Sequence, residues 1–137
     1  MNPPVNVAQS YRRVATETAS PAQQVAMLYD GAIKFLERSL LGFQNEDPLE
    51  FNQTIHNNIQ RAQAIIYELN AALNLEAGGE LAAALRRLYL YLDWRLEQSN
   101  RSKTPGGIQE VIGRLTVLRD AWENMLHQRE PAGADAR

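Results

Sequence analysis

Residues 81–96, reading LAAALRRLYLYLDWRL, carry more apolar surface than one core-facing helix buries. At about 100° per residue, Leu81, Leu85, Leu88, Leu92 and Leu96 fall on one stripe, widened by Ala84, Tyr89 and Tyr91. Ala83, Leu90 and Trp94 fall on the opposite side, flanked by Arg86, Arg87, Asp93 and Glu97. One face of such a helix belongs to a core. The other is an apolar ridge with charged edges. It suits a partner helix, unless a fifth helix or a second copy of the chain covers it.

The rest of the chain repeats the helical pattern at similar length. Ser20-Pro21-Ala22-Gln23 has the form of a helix start: a capping hydroxyl, proline at the first helical position and glutamine three residues on. The helix it opens is predicted over 21–43, with Val25, Leu28, Tyr29, Ala32, Phe35, Leu36, Leu40 and Phe43 on its apolar stripe. Asp47-Pro48-Leu49-Glu50 repeats the cap–proline–acid logic. It opens a helix over 48–73 with Phe51, Ile55, Ile59, Ala62, Ile65, Ile66, Leu69 and Leu73 aligned. Residues 74–79 read as a loop, because Gly78-Gly79 breaks helical continuity. A third helix is expected over 80–100, and the break at Lys103-Thr104-Pro105-Gly106-Gly107 ends it. The fourth is expected over 108–127, with Ile108, Val111, Ile112, Leu115, Leu118, Trp122, Met125 and Leu126 inward.

Strand-like alternation never persists. Four helices of about 20 residues joined by short loops imply an all-α, antiparallel up-and-down four-helix bundle. Residues 1–19 carry two prolines and no long stripe, and read as a mobile N-terminal arm or short extra helix. Residues 20–128 form the bundle domain, and the small, polar residues 129–137 read as a disordered tail.

Composition excludes several classes. A net charge of −2 argues against a nucleic-acid binder with a broad basic face. No apolar run approaches the ~18 residues of a membrane span, and the start MNPPVNVAQSYRR lacks the apolar centre of a secretory signal. The absence of cysteine excludes disulfides and thiolate chemistry and fits a cytoplasmic location. A di-iron bundle needs Glu-x-x-His motifs, but Gln53 precedes His56 and Asn124 precedes His127 at that spacing. Neither glycine pair is followed by the lysine of a phosphate loop, and no nucleophile motif is present. The residues point to a binding protein rather than an enzyme, with no cofactor required.

Three polar or aromatic residues sit where an interaction is in question. Asn58 lies on the second helix's stripe, as a core amide or as an anchor for a partner's backbone. Arg119 lies on the apolar face of the fourth helix, where an acid such as Asp30 or Asp93 suits it. Tyr11 is the arm's aromatic residue and, with Val14, a candidate anchor for an arm folded over an apolar groove.

The residues also carry a family likeness. It begins at Tyr11 and Ser20-Pro21, and is strongest in Met27-Leu28-Tyr29-Asp30-Gly31-Ala32-Ile33. It continues through Ala62-Gln63-Ala64-Ile65-Ile66-Tyr67-Glu68-Leu69, Gly78-Gly79-Glu80, Leu88-Tyr89-Leu90-Tyr91, Asn100, Leu118-Arg119 and Trp122. In this order and spacing the chain resembles the flagellar export chaperones of the FliS family over about residues 11–126. Arg61 stands where that family often has lysine, and the charge is kept.

The resemblance implies a cytoplasmic bundle that binds the disordered C-terminal segment of flagellin. Such a chaperone prevents premature polymerisation and holds the subunit export-competent by helix-in-groove recognition coupled to client folding. It also implies contact with flagellar export-gate components, and an arm contribution that falls on Tyr11. Helical geometry adds Ile55, Asn58, Ile59, Ala62, Leu90, Tyr91 and Trp94 as expected partner-binding residues, in a monomer or homodimer. The competing reading is an adaptor or regulator for another amphipathic helix, such as an anti-sigma factor or an export-gate component.

Overall fold

The computed structural model describes residues 20–135, with side chains described through Gln128; the arm, and with it Tyr11 and Val14, lies outside the described residues. Four helices follow in order: α1 Pro21–Gly42, α2 Pro48–Ala71, α3 Leu75–Ser102 and α4 Gly106–Asp135. No strand occurs among the described residues.

The helix starts follow local chemistry. The backbone N–H of Gln23 donates to Ser20 Oγ at 3.1 Å, and the Ser20 N–H donates to Gln23 Oε1 at 3.0 Å, a closed capping box. At α2 the Leu49 N–H donates to Asp47 Oδ1 at 2.9 Å, with Pro48 opening the helix. The start of α3 departs from expectation. Asn74 caps an extra turn, accepting from the Ala77 N–H at 3.0 Å, inside the segment expected to be a loop. That turn stops at Gly79, whose φ of 53° and ψ of −131° are open to glycine alone, and the long part of α3 starts beyond it.

At the far end of α3, Lys103 adopts the left-handed conformation at φ 51°. Its ammonium donates to both the carbonyl and the side-chain Oδ1 of Asn100, each at 2.6 Å. This fixes a conformation that residues other than glycine rarely hold. The last helix runs past the boundary expected at residue 127, consistent with the good helix-forming character of Gln128, Arg129 and Glu130.

Each helix packs on its sequence neighbour, and α4 returns to pack on α1, closing a ring. Cross-helix bonds give the directions. Asn100, late in α3, bonds His56 Nδ1, early in α2, at 2.9 Å. Arg95 of α3 pairs with Glu110, early in α4, at 3.0 Å. Trp122, late in α4, donates its indole N–H to the Ala22 carbonyl at the start of α1 at 2.7 Å. Neighbours are therefore antiparallel.

The core draws on all four helices: Tyr29, Ala32, Ile33 and Leu36; Ile55, Ile59, Ala62, Ile66 and Leu69; Tyr89, Leu92 and Leu96; Ile108, Val111 and Leu115. Each large apolar side chain fully withdrawn from water contributes about 1.5–3 kcal/mol before ordering costs. On α3 the inward line is Ala82, Leu85, Tyr89, Leu92 and Leu96, spaced three and four apart. Leu81, expected on that stripe, is 70 % exposed: it lies one residue off the line, about 100° around the helix. Tyr91 likewise stands outside. Two further corrections are small. Ile33 is buried although the expected α1 stripe omitted it, and Met125 of α4 faces out.

Candidate functional site

The outward face of α3 is built by the geometry that buries the inward one. Placing Leu92 and Leu96 in the core turns Leu90 and Trp94 about half a turn away, and they stay 55 % and 52 % exposed. Tyr91 joins them at the ridge's edge, its ring 5.9 Å from that of Trp94. These three expected site residues stand together on one surface.

The other four do not. Ile55, Ile59 and Ala62 are fully buried core residues, and Asn58 is 8 % exposed. The apolar stripe of α2 is taken up by packing against α1 and α3. Asn58 donates from Nδ2 to the Thr54 carbonyl at 2.8 Å on its own helix, and its Oδ1 has no partner among the described residues. Arg119 pairs with Asp30 at 3.3 Å and with Asp120 at 3.2 Å, the former being one of the two acids expected for it.

Two furrows run beside the α3 ridge, and their charges differ. Between α2 and α3 lies a small recess of about 100 Å³, lined by Ile66, Tyr67, Asn70, Leu90 and Asp93 among others. Its edge is acidic. Gln63 donates to Glu97 at 3.1 Å, and partial burial together with neighbouring Glu97 pushes the Asp93 carboxyl above its usual range.

Between α3 and α4 lies a wider groove of about 470 Å³, lined by Leu88, Gln109, Glu110, Gly113, Arg114, Val117 and Leu118. Glu110 organises its rim. It accepts from the Tyr91 hydroxyl at 2.7 Å, from Arg95 at 3.0 Å and from Arg114 at 3.1 Å. The Tyr91 bond, followed by the two arginines, holds its carboxyl below the usual range, and the same bond raises the Tyr91 phenol. Arg114 also lies over the Tyr91 ring at 5.4 Å.

Sequence reasoning missed Tyr67, Arg95, Glu110, Arg114 and Val117. Tyr67 and Val117 carried a usable signal: each is a large apolar residue off its helix's inward stripe, and they are 75 % and 68 % exposed. The Glu110 cluster gave none, because its members lie on two helices and meet only after folding.

Among the described residues no group of three or more His, Asp or Glu side chains is placed to hold a metal ion. None of the described helices is long and apolar enough to cross a membrane. The bundle thus presents an apolar ridge between two polar-edged furrows. The family model described as flagellar protein FliS matches residues 4–129. The chain is 35 % identical over 117 residues to the flagellar secretion chaperone FliS of Bacillus subtilis, covering 85 % of this chain and 84 % of that one. It is 34 % identical over 121 residues to that of Salmonella typhimurium, covering 85 % and 87 %. It is 33 % identical over 111 residues to that of Campylobacter jejuni, covering 81 % and 83 %. The chain belongs to the FliS family of flagellar secretion chaperones, and it is not an enzyme.

Proposed function

We propose that this chaperone works in the cytoplasm on flagellin, binding the subunit's disordered C-terminal segment and keeping it from polymerising before export. The observation that carries this reading is the ridge of Leu90, Tyr91 and Trp94, an aromatic-rich apolar strip left open by a helix whose other face already fills the core. A client segment that coils into a helix against the ridge buries its own apolar stripe there. Ordering that segment offsets part of the contact energy, which leaves the complex dissociable at the export machinery. No nucleotide or metal enters the cycle.

A pull-down tests the mode of binding. The chaperone is mixed with full-length flagellin and with flagellin lacking its C-terminal segment. Retention of the full-length form alone is expected; equal retention of both rejects this docking mode.

A further inference from the structure

Phe35 of α1 carries two guanidiniums that come from different helices. Arg38, one turn on in α1, lies over the ring at 5.4 Å from its centroid, and Arg61 of α2 lies over it at 5.7 Å. Gly31 helps them converge. A Cβ there would press on Ile65 Cδ1 of α2 at 3.3 Å, so its absence keeps the two helices close where Arg61 reaches across. Contact with a ring face leaves the N–H donors of a guanidinium for other partners. Neither arginine forms an ion pair among the described residues. Asp30, the acid of this surface, is already shared by Lys34 at 3.1 Å and Arg119 at 3.3 Å. Beside the pair opens a recess of about 180 Å³, lined by Met27, Asp30, Gly31, Lys34, Phe35 and Arg38. Apolar Met27 and Phe35 thus lie next to three exposed cations, Lys34, Arg38 and Arg61.

We infer that this α1–α2 surface docks an acidic segment of a partner protein, which sets a carboxylate against Arg38 and Arg61 and an apolar side chain in the recess beside Met27. Two guanidiniums held on one ring are partly ordered before binding, so less side-chain freedom is lost when a carboxylate arrives. Charge-assisted N–H···O contacts then fix the register of the segment. The charge suits a peptide rather than a nucleic acid. Three cations in a chain of net charge −2 do not make the broad basic face that a phosphate backbone needs. The surface belongs to α1 and α2, and α1 stands diagonally across the ring from α3. An acidic partner here uses none of the residues of the Leu90–Trp94 ridge.

The test uses the full chain and a synthetic peptide of alternating Glu and Leu, beside its counterpart with Gln for every Glu. Both are titrated calorimetrically, and NMR shifts of backbone amides and arginine Nε–H groups locate the contact. The acidic peptide is expected to bind, to shift Gly31, Arg38 and Arg61, and to bind more tightly than the Gln form. Arg38→Glu and Arg61→Glu are each expected to weaken it by about tenfold or more, and Arg61→Lys by less. Trp94→Glu is expected to leave it unchanged, and thermal melts check that each variant folds. Equal binding of the two peptides, no binding of the acidic one, or shifts confined to other surfaces overturns the assignment. Tighter binding of a single-stranded oligonucleotide at the same residues overturns it in favour of nucleic acid. Self-association abolished by Arg38→Glu overturns it in favour of a second copy of the chain. None of these outcomes bears on the flagellin reading.

Discussion

The phenol hydroxyls of Tyr29 on α1 and Tyr89 on α3 hydrogen-bond to each other across the bundle, joining helices on opposite corners of the ring. Both rings are almost wholly buried. Tyr89→Phe leaves the Tyr29 hydroxyl without its partner and is expected to lower stability by about 1–2 kcal/mol. The double change Tyr29→Phe with Tyr89→Phe removes both polar groups and is expected to recover most of that loss. Urea unfolding of the two single variants, Tyr29→Phe and Tyr89→Phe, and of the double variant measures it; additive losses would show that the two hydroxyls do not depend on each other.

The same pair sets an alkaline limit. Burial raises both phenols above the ordinary tyrosine range, Tyr89 the more strongly. A group whose folded pKa lies above its unfolded one contributes fully below the unfolded value of about 10 and loses that contribution as pH climbs above it. The wild type is expected to weaken progressively above about pH 10, and the double Phe variant less so. Urea midpoints followed from pH 8 upward read the difference; parallel curves would exclude the tyrosine pair as the cause.

Trp94→Glu places a charge on the ridge while the core stays untouched. Client affinity is expected to fall by about 30-fold or more, the ~2 kcal/mol of a buried aromatic anchor. Helicity by circular dichroism is expected to match the wild type. A folded variant with undiminished affinity moves the client off this face.

Gly79→Ala tests a backbone effect in isolation. Among the described residues a Cβ there meets nothing within 4 Å, but the φ of 53° with ψ of −131° disfavours any side chain. A loss of about 1–3 kcal/mol is expected. A thermal melt unchanged by the substitution would mean that the turn capped by Asn74 readily realigns with the rest of α3.

How much of this was readable in the chain depends on the distance over which each feature is encoded. Ser20-Pro21 and Asp47-Pro48 were legible because a capping side chain and the backbone N–H that donates to it lie within three residues. Leu90 and Trp94 were legible because α3 carries two apolar faces and a core takes only one. Ile55, Ile59 and Ala62 were legible as apolar but not as core rather than groove. That distinction is made by where α1 and α3 pack, which no window along α2 contains. The turn at 75–78 was missed because two glycines outweighed the Asn74 cap in a local reading. The rim of the α3–α4 groove joins Tyr91 to a carboxylate 19 residues away, and such pairings become visible only once the helices are set side by side.

Because consecutive helices are also spatial neighbours, three of the four interfaces close as hairpins through the loops at 43–47, 72–74 and 103–105. The exception is the contact of α1 with α4, where Trp122 reaches Ala22 across 100 residues of sequence. Loop-closure entropy is greatest there, so the bond forms against the largest conformational penalty. During synthesis the first three helices, bearing the aromatic strip of α3, are complete before the last has left the ribosome. A chaperone assembled in that order acquires its adhesive surface before its final wall, and in pulsed hydrogen exchange the amides of α4 should gain protection last.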